Sequence, residues 1–389
     1  MFGVDDEKWK ELNGFNTATE IYQQPKLWLE VLKIVEDNKD DINKFLEARL
    51  KKDKVRVIFA GAGTSAYVGE IATQQLNMGG EYIYEAIATT DIVANPEIYF
   101  KKDIPTILVS FARSGNSPES VATYNLANEM IDEVSHIFIT CNVEGKLAEI
   151  SQGKENVLLL LMPEESNDKG FAMTSSFSCM TLTALLIFDM GNFENNKKQI
   201  LEMATIGKDI LKGDQEEIKG LIDPKYNRIV YLGSSTFRGL TKESGLKLLE
   251  LTRGQIISHS ETTLGFRHGP KSITNDNTLI FIYISEDPYT RKYDIDMLKE
   301  IYNDEGGHRV IAISNKYYEE VEENSNKYFY LNKDGNNIDN TGFMSLLYAL
   351  YAQLVALFYS INVNVEPDDP NPSGIVNRVV KGVTIYKKN

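Results

Sequence analysis

Short apolar, β-branched runs alternate along this chain with longer stretches of helical spacing. Residues 55–60 (V-R-V-I-F-A), 104–109, 137–142 (I-F-I-T-C-N), 229–232 (I-V-Y-L), 278–281 (T-L-I-F) and 310–315 (V-I-A-I-S-N) are the runs. Most are apolar on consecutive positions rather than every second one, which marks strands covered on both faces. Strand–helix alternation of this kind predicts doubly wound, mostly parallel sheets in an α/β fold.

The runs repeat. Val57 to Thr64 (V-I-F-A-G-A-G-T) matches Ile229 to Thr236 (I-V-Y-L-G-S-S-T), 172 residues later (229 − 57). Thr106 to Val109 matches Thr278 to Phe281 at the same shift, and the run from Ile137 matches that from Val310 at 173. Phe171 and Phe343, each heading an uncharged stretch, are again 172 apart. A period this long is a duplicated domain, because solenoid units are only about 20–50 residues. The pattern therefore predicts two tandem α/β domains, 51–212 and 213–389, linked near Gly213 to Pro224, after an N-terminal helical segment, 1–50. In that segment Thr17 to Lys33 has helical spacing, with Ile21, Trp28, Val31 and Leu32 as candidate buried positions and Pro25 inside it. Two helices are expected there.

Residues 171–188 and 341–365 lack charges and are long enough to test against a bilayer. Thr and Ser crowd the first, Gln353 and several Tyr interrupt the second, and neither is flanked by Lys or Arg. Both read as helices buried at the centre of a soluble protein.

Composition narrows the class further. The 389 residues carry a net charge of −15, which argues against a nucleic-acid footprint and requires local donors for any anionic ligand. Cys141 and Cys179 sit in apolar surroundings and read as buried thiols, with one disulfide as the alternative. The four histidines show no metal-ligand spacing. The charged N-terminus lacks an apolar signal region, so a cytoplasmic location is expected.

Candidate chemistry begins at residues 107–120, I-L-V-S-F-A-R-S-G-N-S-P-E-S. An apolar strand ends there in a Ser/Gly turn. Ser117 suits a helix N-cap, Pro118 the first helical position, and Glu119 the positive end of the helix dipole. Such a turn aims backbone N–H groups at one small volume, and Ser114, Ser117, Ser120 and Arg113 add donors for a phosphate monoester. Turns of this composition also occur where nothing binds. A second one, Gly61-Ala62-Gly63-Thr64-Ser65, follows the first strand, and parallel strands bring such loops together at one end of a sheet. It lacks the third glycine of a dinucleotide fingerprint and the Gly-Lys of a P-loop.

The second copy diverges where chemistry would sit. Its turn reads Ile284-Ser285-Glu286-Asp287-Pro288, too acidic for phosphate. Instead it carries Lys247 and Glu250, three apart on one helical face, and Phe266-Arg267-His268-Gly269-Pro270 in a later loop. An ordinary surface ion pair and a loop-capping histidine are the plain readings of these residues.

From about residue 40 onward the chain resembles two sugar isomerase (SIS) domains in tandem. S-F-A-R-S-G-N-S-P-E-S is similar to the family's phosphosugar loop and G-A-G-T-S to its first-strand loop. L-K-L-L-E-L, H-G-P and V-K-G-V-T resemble the isomerase half of glucosamine-6-phosphate synthase. G-F-R-H-G-P-K-S and P-D-D-P-N-P-S-G-I-V-N-R-V-V look closest to the AgaS subgroup, galactosamine-6-phosphate deaminase/isomerases that are also labelled tagatose-6-phosphate ketose/aldose isomerases.

The resemblance implies roles. Ser65, Ser114 and Ser117 would bind the sugar phosphate, with Thr64 and Arg113 beside them. Glu250 would move a proton between C1 and C2. His268 would open the ring from the neighbouring subunit, Lys381 would close over the open-chain sugar, and Lys247 would support the site. A homodimer or larger homo-oligomer follows. Ala112 and Arg113 replace hydroxyl and amide donors of the synthase loop, and two extra residues separate Glu250 from His268. No metal or redox cofactor is needed, and neither nucleic acid nor membrane is an expected partner. The implied activity converts galactosamine 6-phosphate to tagatose 6-phosphate and ammonia. Simple isomerisation of another hexose phosphate, or fructosamine-6-phosphate deglycation, are alternatives within the class. A non-catalytic sugar-phosphate sensor is the alternative outside it, disfavoured by the joint presence of Glu250, His268 and Lys381.

Overall fold

The computed structural model describes every residue except Asp53, Glu81, Asp334, Lys381, Lys387, Lys388 and Asn389. The described residues form two five-stranded sheets, parallel throughout. The first contains β1 (Arg56–Ala60), β2 (Tyr84–Ala86), β3 (Thr106–Ala112), β4 (Val134–Thr140) and β5 (Val157–Leu161), in the order β2-β1-β3-β4-β5. The second contains β6 (Arg228–Gly233), β7 (Ile257–Glu261), β8 (Thr278–Tyr283), β9 (Arg309–Ser314) and β10 (Lys327–Tyr330). Its order is β7-β6-β8-β9-β10, the same topology. The repeat in the sequence is thus a repeated sheet. In this strand order the chain reverses direction between the first and third strands, and the crevice beyond their C-terminal ends is where ligands bind in open α/β sheets.

Two compact units divide the chain. One comprises Met1–Pro25, Lys169–Ala172 and Lys198–Pro372, and the other Lys26–Asp168, Met173–Lys197 and Ser373–Asn389. The first sheet belongs to the latter unit and the second sheet to the former.

In the first-sheet unit β3 is buried at every position, which its apolar composition predicts. Helix Ser175–Ile187 is buried along its whole length and packs on helix Thr64–Met78. At 13 residues it is too short to span a bilayer. It begins four residues after Phe171, so that residue precedes the helix. Trp28, Val31 and Leu32 are buried as expected, and Trp28 Nε1 donates to Ser178 Oγ at 3.0 Å.

In the second-sheet unit the core helix is Thr341–Asn362, which packs on helices Phe237–Leu251 and Phe15–Tyr22. It is long and apolar enough to cross a membrane, but 94% of its apolar window is buried inside the fold. Gln353, the polar interruption, is buried and accepts a 2.6 Å hydrogen bond from Gln24 Nε2. That bond satisfies the side-chain oxygen of a polar group in an apolar helix.

One expectation changes. Residues 1–50 form four helices rather than two: Asp6–Glu11, Phe15–Tyr22, Gln24–Asp37 and Lys39–Leu50. Pro25 is the second residue of its helix, where the missing N–H costs no internal hydrogen bond. The charged link at 213–224 begins in a π-turn (Ile210–Asp214) that runs into helix Gln215–Lys219. Asp214 ties that turn down, accepting from Tyr351 Oη at 2.5 Å and Lys333 Nζ at 2.8 Å.

Candidate active site

In the first-sheet unit, Ala60 and Ser110 are register partners on β1 and β3, so the loops that follow leave the sheet side by side. The β1 loop must stay glycine at Gly61, because a Cβ there would stand 2.5 Å from the Ser65 carbonyl oxygen. Gly63 takes φ 56°, the left-handed region that glycine reaches without strain. Together they bring Thr64 and Ser65, both buried, to the N-terminus of helix Thr64–Met78.

The β3 loop has the predicted cap. Ser117 is N-cap to helix Pro118–Met130, its Oγ accepting from Ser120 N at 3.3 Å and donating to Ser120 Oγ at 2.6 Å. Gly115 takes φ 68° and packs against Gly145, where a Cβ would come within 2.6 Å of the Ser114 carbonyl oxygen. Asn142 Nδ2 donates to that carbonyl at 2.9 Å, and Lys146 N donates to Asn116 Oδ1 at 2.9 Å. The turn is therefore braced by the loop after β4. Arg113 is 7% exposed, and its Nη2 donates to the Arg378 carbonyl at 2.8 Å. The structure thus gathers Thr64, Ser65, Arg113, Ser114 and Ser117 at the C-terminal ends of β1 and β3. Backbone N–H groups of two helix starts, hydroxyls and a guanidinium suit a phosphate monoester.

In the second-sheet unit, the corresponding crevice holds an internal anion. The buried Asp294 carboxylate accepts from Ser234 Oγ at 2.7 Å, in the loop after β6, and from Ser285 N at 3.0 Å, in the loop after β8. Burial pushes the Asp294 carboxyl above its ordinary range, against the opposing hydrogen bonds. Asp287 caps helix Pro288–Asn303 as Ser117 caps its counterpart. Glu286 accepts from Asn315 N, Lys316 N and Tyr318 Oη. The acidic turn is thus consumed by the protein's own donors.

Helix Phe237–Leu251 of this unit carries the charged group. Lys247 is 1% exposed, with Nζ 2.5 Å from Glu250 Oε2 and 3.5 Å from Glu243 Oε1. Glu243 is buried as well, whereas the Glu250 side chain keeps 24% of its surface open. The surface ion pair of the plain reading is a buried cation between two carboxylates, only one of which reaches solvent. Sequence reasoning missed Glu243, although its i, i+4 spacing to Lys247 was visible.

His268 stands elsewhere in this unit, exposed, after the short turn Gly265–Arg267. Its neighbours are pinned. Arg267 donates to Glu300 at 2.6 Å and Asp296 at 2.8 Å, and Lys271 pairs with Glu300 at 2.6 Å and Asp304 at 2.7 Å. The hydrogen bond from Lys271 holds the Glu300 carboxyl below its ordinary range. Two basic residues fastened to helix Pro288–Asn303 leave the imidazole between them facing out. Lys381, the third residue singled out for catalysis, lies outside the described residues. Cys141 and Cys179 are both free and buried.

The SIS domain family matches residues 49–190. The D-galactosamine-6-phosphate deaminase AgaS of Shewanella sp. (strain ANA-3) is 39% identical over 384 residues, 98% of this chain and 94% of that protein. The chain belongs to the AgaS family of SIS-domain proteins. A Clostridium novyi crystal structure, provisionally named a tagatose-6-phosphate ketose/aldose isomerase, shares the AgaS fold seen here with a TM-score of 0.97. It is 47% identical, covering 100% of this chain and 99% of its own. The Escherichia coli tagatose-6-phosphate ketose/aldose isomerase is 36% identical with a TM-score of 0.88, covering 99% and 98%.

Proposed function

We propose that this protein is an enzyme that converts D-galactosamine 6-phosphate to D-tagatose 6-phosphate and ammonia. The observation that carries the proposal is the partly open Glu250 carboxylate held by buried Lys247, in a chain similar over nearly its full length to a named D-galactosamine-6-phosphate deaminase. In the open-chain substrate the carbonyl is at C1 and the amine at C2. Glu250 removes the C2 proton, giving an enaminol, and returns it to C1. The product is a C2 imine with a C1 hydroxymethyl group. Water adds to that imine, ammonia leaves, and C2 becomes the ketone of tagatose 6-phosphate. Lys247 offsets the negative charge that develops on the C1 oxygen side of this transfer.

Thr64, Ser65, Arg113, Ser114 and Ser117 hold the phosphate, His268 opens the sugar ring of a substrate bound to the neighbouring subunit, and Lys381 closes over the chain form. The protein is then at least a dimer and works in the cytoplasm. The duplicated halves, 51–212 and 213–389, divide the labour between phosphate recognition and proton transfer.

The same groups would run a simple aldose–ketose isomerisation if C2 carried a hydroxyl. The names of the Clostridium novyi and Escherichia coli structures favour that second reading. Ammonia release, assayed over a panel of hexosamine and hexose 6-phosphates, separates the two. Ammonia from galactosamine 6-phosphate at a rate matching ketose formation supports deamination. Turnover confined to tagatose 6-phosphate, with none on the amino sugar, overturns it.

A further inference from the structure

The C-terminal segment crosses the phosphate loop, and one residue fastens it there. Arg378 reaches the Asp168 carbonyl with two guanidinium nitrogens, Nε at 3.0 Å and Nη2 closer still. Its own carbonyl receives Arg113 Nη2 at 2.8 Å. The anchor point is rigid. Asp168 is fully buried, and its carboxylate accepts from the backbone N–H groups of Thr174, Ser175 and Ser176 and from the hydroxyls of Thr174 and Ser176. Five donors on one carboxylate fix the corner ahead of helix Ser175–Ile187, and with it the carbonyl that Arg378 grips.

We infer that Arg378 is a positioning residue for phosphate recognition: held on Asp168, it presents the backbone carbonyl that sets the Arg113 guanidinium beside the β3 loop. This deepens the proposed function and rests on its reading of the β3 loop as the phosphate site. The side chain of Arg378 forms the fastening and its main chain does the positioning. Arg113 is buried and long, with many rotamers, and a fixed acceptor at one corner of its fork removes most of that freedom before phosphate arrives. Because the phosphate and the Arg378 carbonyl act on the same guanidinium, their effects are coupled, and coupling of this kind is reciprocal.

The test is a double-mutant cycle on the intact protein, read by calorimetric titration with inorganic phosphate and by kcat and KM on galactosamine 6-phosphate. R378A is expected to weaken phosphate binding and raise KM at least about fivefold, with kcat within about twofold. In an R113A background the same change should add nothing, because its effect runs through the missing guanidinium. R378K, which keeps one donor toward Asp168, should recover part of the loss. It also keeps the experiment readable if R378A folds poorly. Hydrogen exchange over residues 373–380 should slow on adding phosphate to the wild type, but not to R113A. Wild-type phosphate affinity in R378A, or a full R378A penalty in the R113A background, overturns the inference. Phosphate binding is read without turnover, so a wild-type protein that binds phosphate but releases no ammonia sinks the proposed reaction alone.

Discussion

Lys247 Nζ lies 2.5 Å from Glu250 Oε2 and 3.5 Å from Glu243 Oε1, in a helix where Lys247 and Glu243 are both buried. One cation therefore serves two carboxylates, one sealed and one open. Removing the cation takes an ion-pair partner from the sealed one. Lys247→Met should destabilise the protein by roughly 3–5 kcal/mol, the cost of breaking a buried ion pair by removing one partner. Adding Glu243→Gln should restore much of that loss. Chemical denaturation of both variants checks it, and a double variant no more stable than the single would contradict the shared cation.

Glu250→Gln keeps the size of the side chain and removes the proposed base. Turnover should fall about 10²–10⁴-fold with little change in substrate affinity. Exchange of the C2 proton with deuterated water should vanish, even on an analogue that cannot cyclise. Exchange at the wild-type rate in Glu250→Gln would place the base on another residue.

Arg113→Ala and Ser114→Ala should act mainly on KM, because phosphate is held in ground and transition states alike. Loss of a charged hydrogen-bond partner should cost about 1.5–3 kcal/mol of binding. Unchanged affinity for the phosphorylated sugar in both variants would move the phosphate to a different loop.

His136 gives a pH prediction unrelated to catalysis. It lies fully buried in β4, with Nε2 3.1 Å from Asn128 Nδ2 and its ring 4.5 Å from that of Tyr124. Burial, helped by Lys154, pushes its pKa from 6.5 down to about 3. Between those values the unfolded chain holds a proton that the folded chain refuses. Stability from this site is therefore complete above the unfolded pKa and is lost as pH falls toward the folded one. His136→Gln keeps a partner for Asn128 and cannot titrate. Its melting temperature should fall less steeply than that of the wild type from pH 6.5 to pH 4, and parallel curves would count against the assignment.

Local chemistry made much of this architecture legible. The N-cap at Ser117 with Pro118 behind it, and the glycines of the β1 loop, depend on residues within a few positions of one another. The shared strand order follows from runs 172 apart, which the structure places as β1 with β6 and β3 with β8. Where the inference depended on register, it slipped. Val109 pairs with Ile137 in the first sheet and its counterpart Phe281 pairs with Ile311 in the second, so Ile311 rather than Val310 answers Ile137. Similar apolar residues on neighbouring positions hide a one-residue offset. The match of Phe171 with Phe343 failed for a related reason, since the two core helices begin at Ser175 and Thr341. Arg378 left no local sign at all, because the carbonyl it grips is 210 residues away.

The pinned loop around His268 leads to the last prediction. His268 is exposed between two anchored basic residues, and the proposed ring opening uses it on the neighbouring subunit. Each complete site then takes Glu250 from one subunit and His268 from the other. Glu250→Gln and His268→Ala homo-oligomers should each be inactive on closed-ring substrate. Mixed after subunit exchange, half of the dimers are hybrids, and each hybrid holds one site with both residues intact and one with neither. About a quarter of wild-type activity should return. The recovered activity should vanish when the two variants are cross-linked as homodimers before mixing. His268→Ala alone should keep most of its activity on an analogue that cannot cyclise, since that substrate skips the step assigned to the histidine. A fully active monomer, or confirmed exchange without recovery, would return His268 to the chain that carries it.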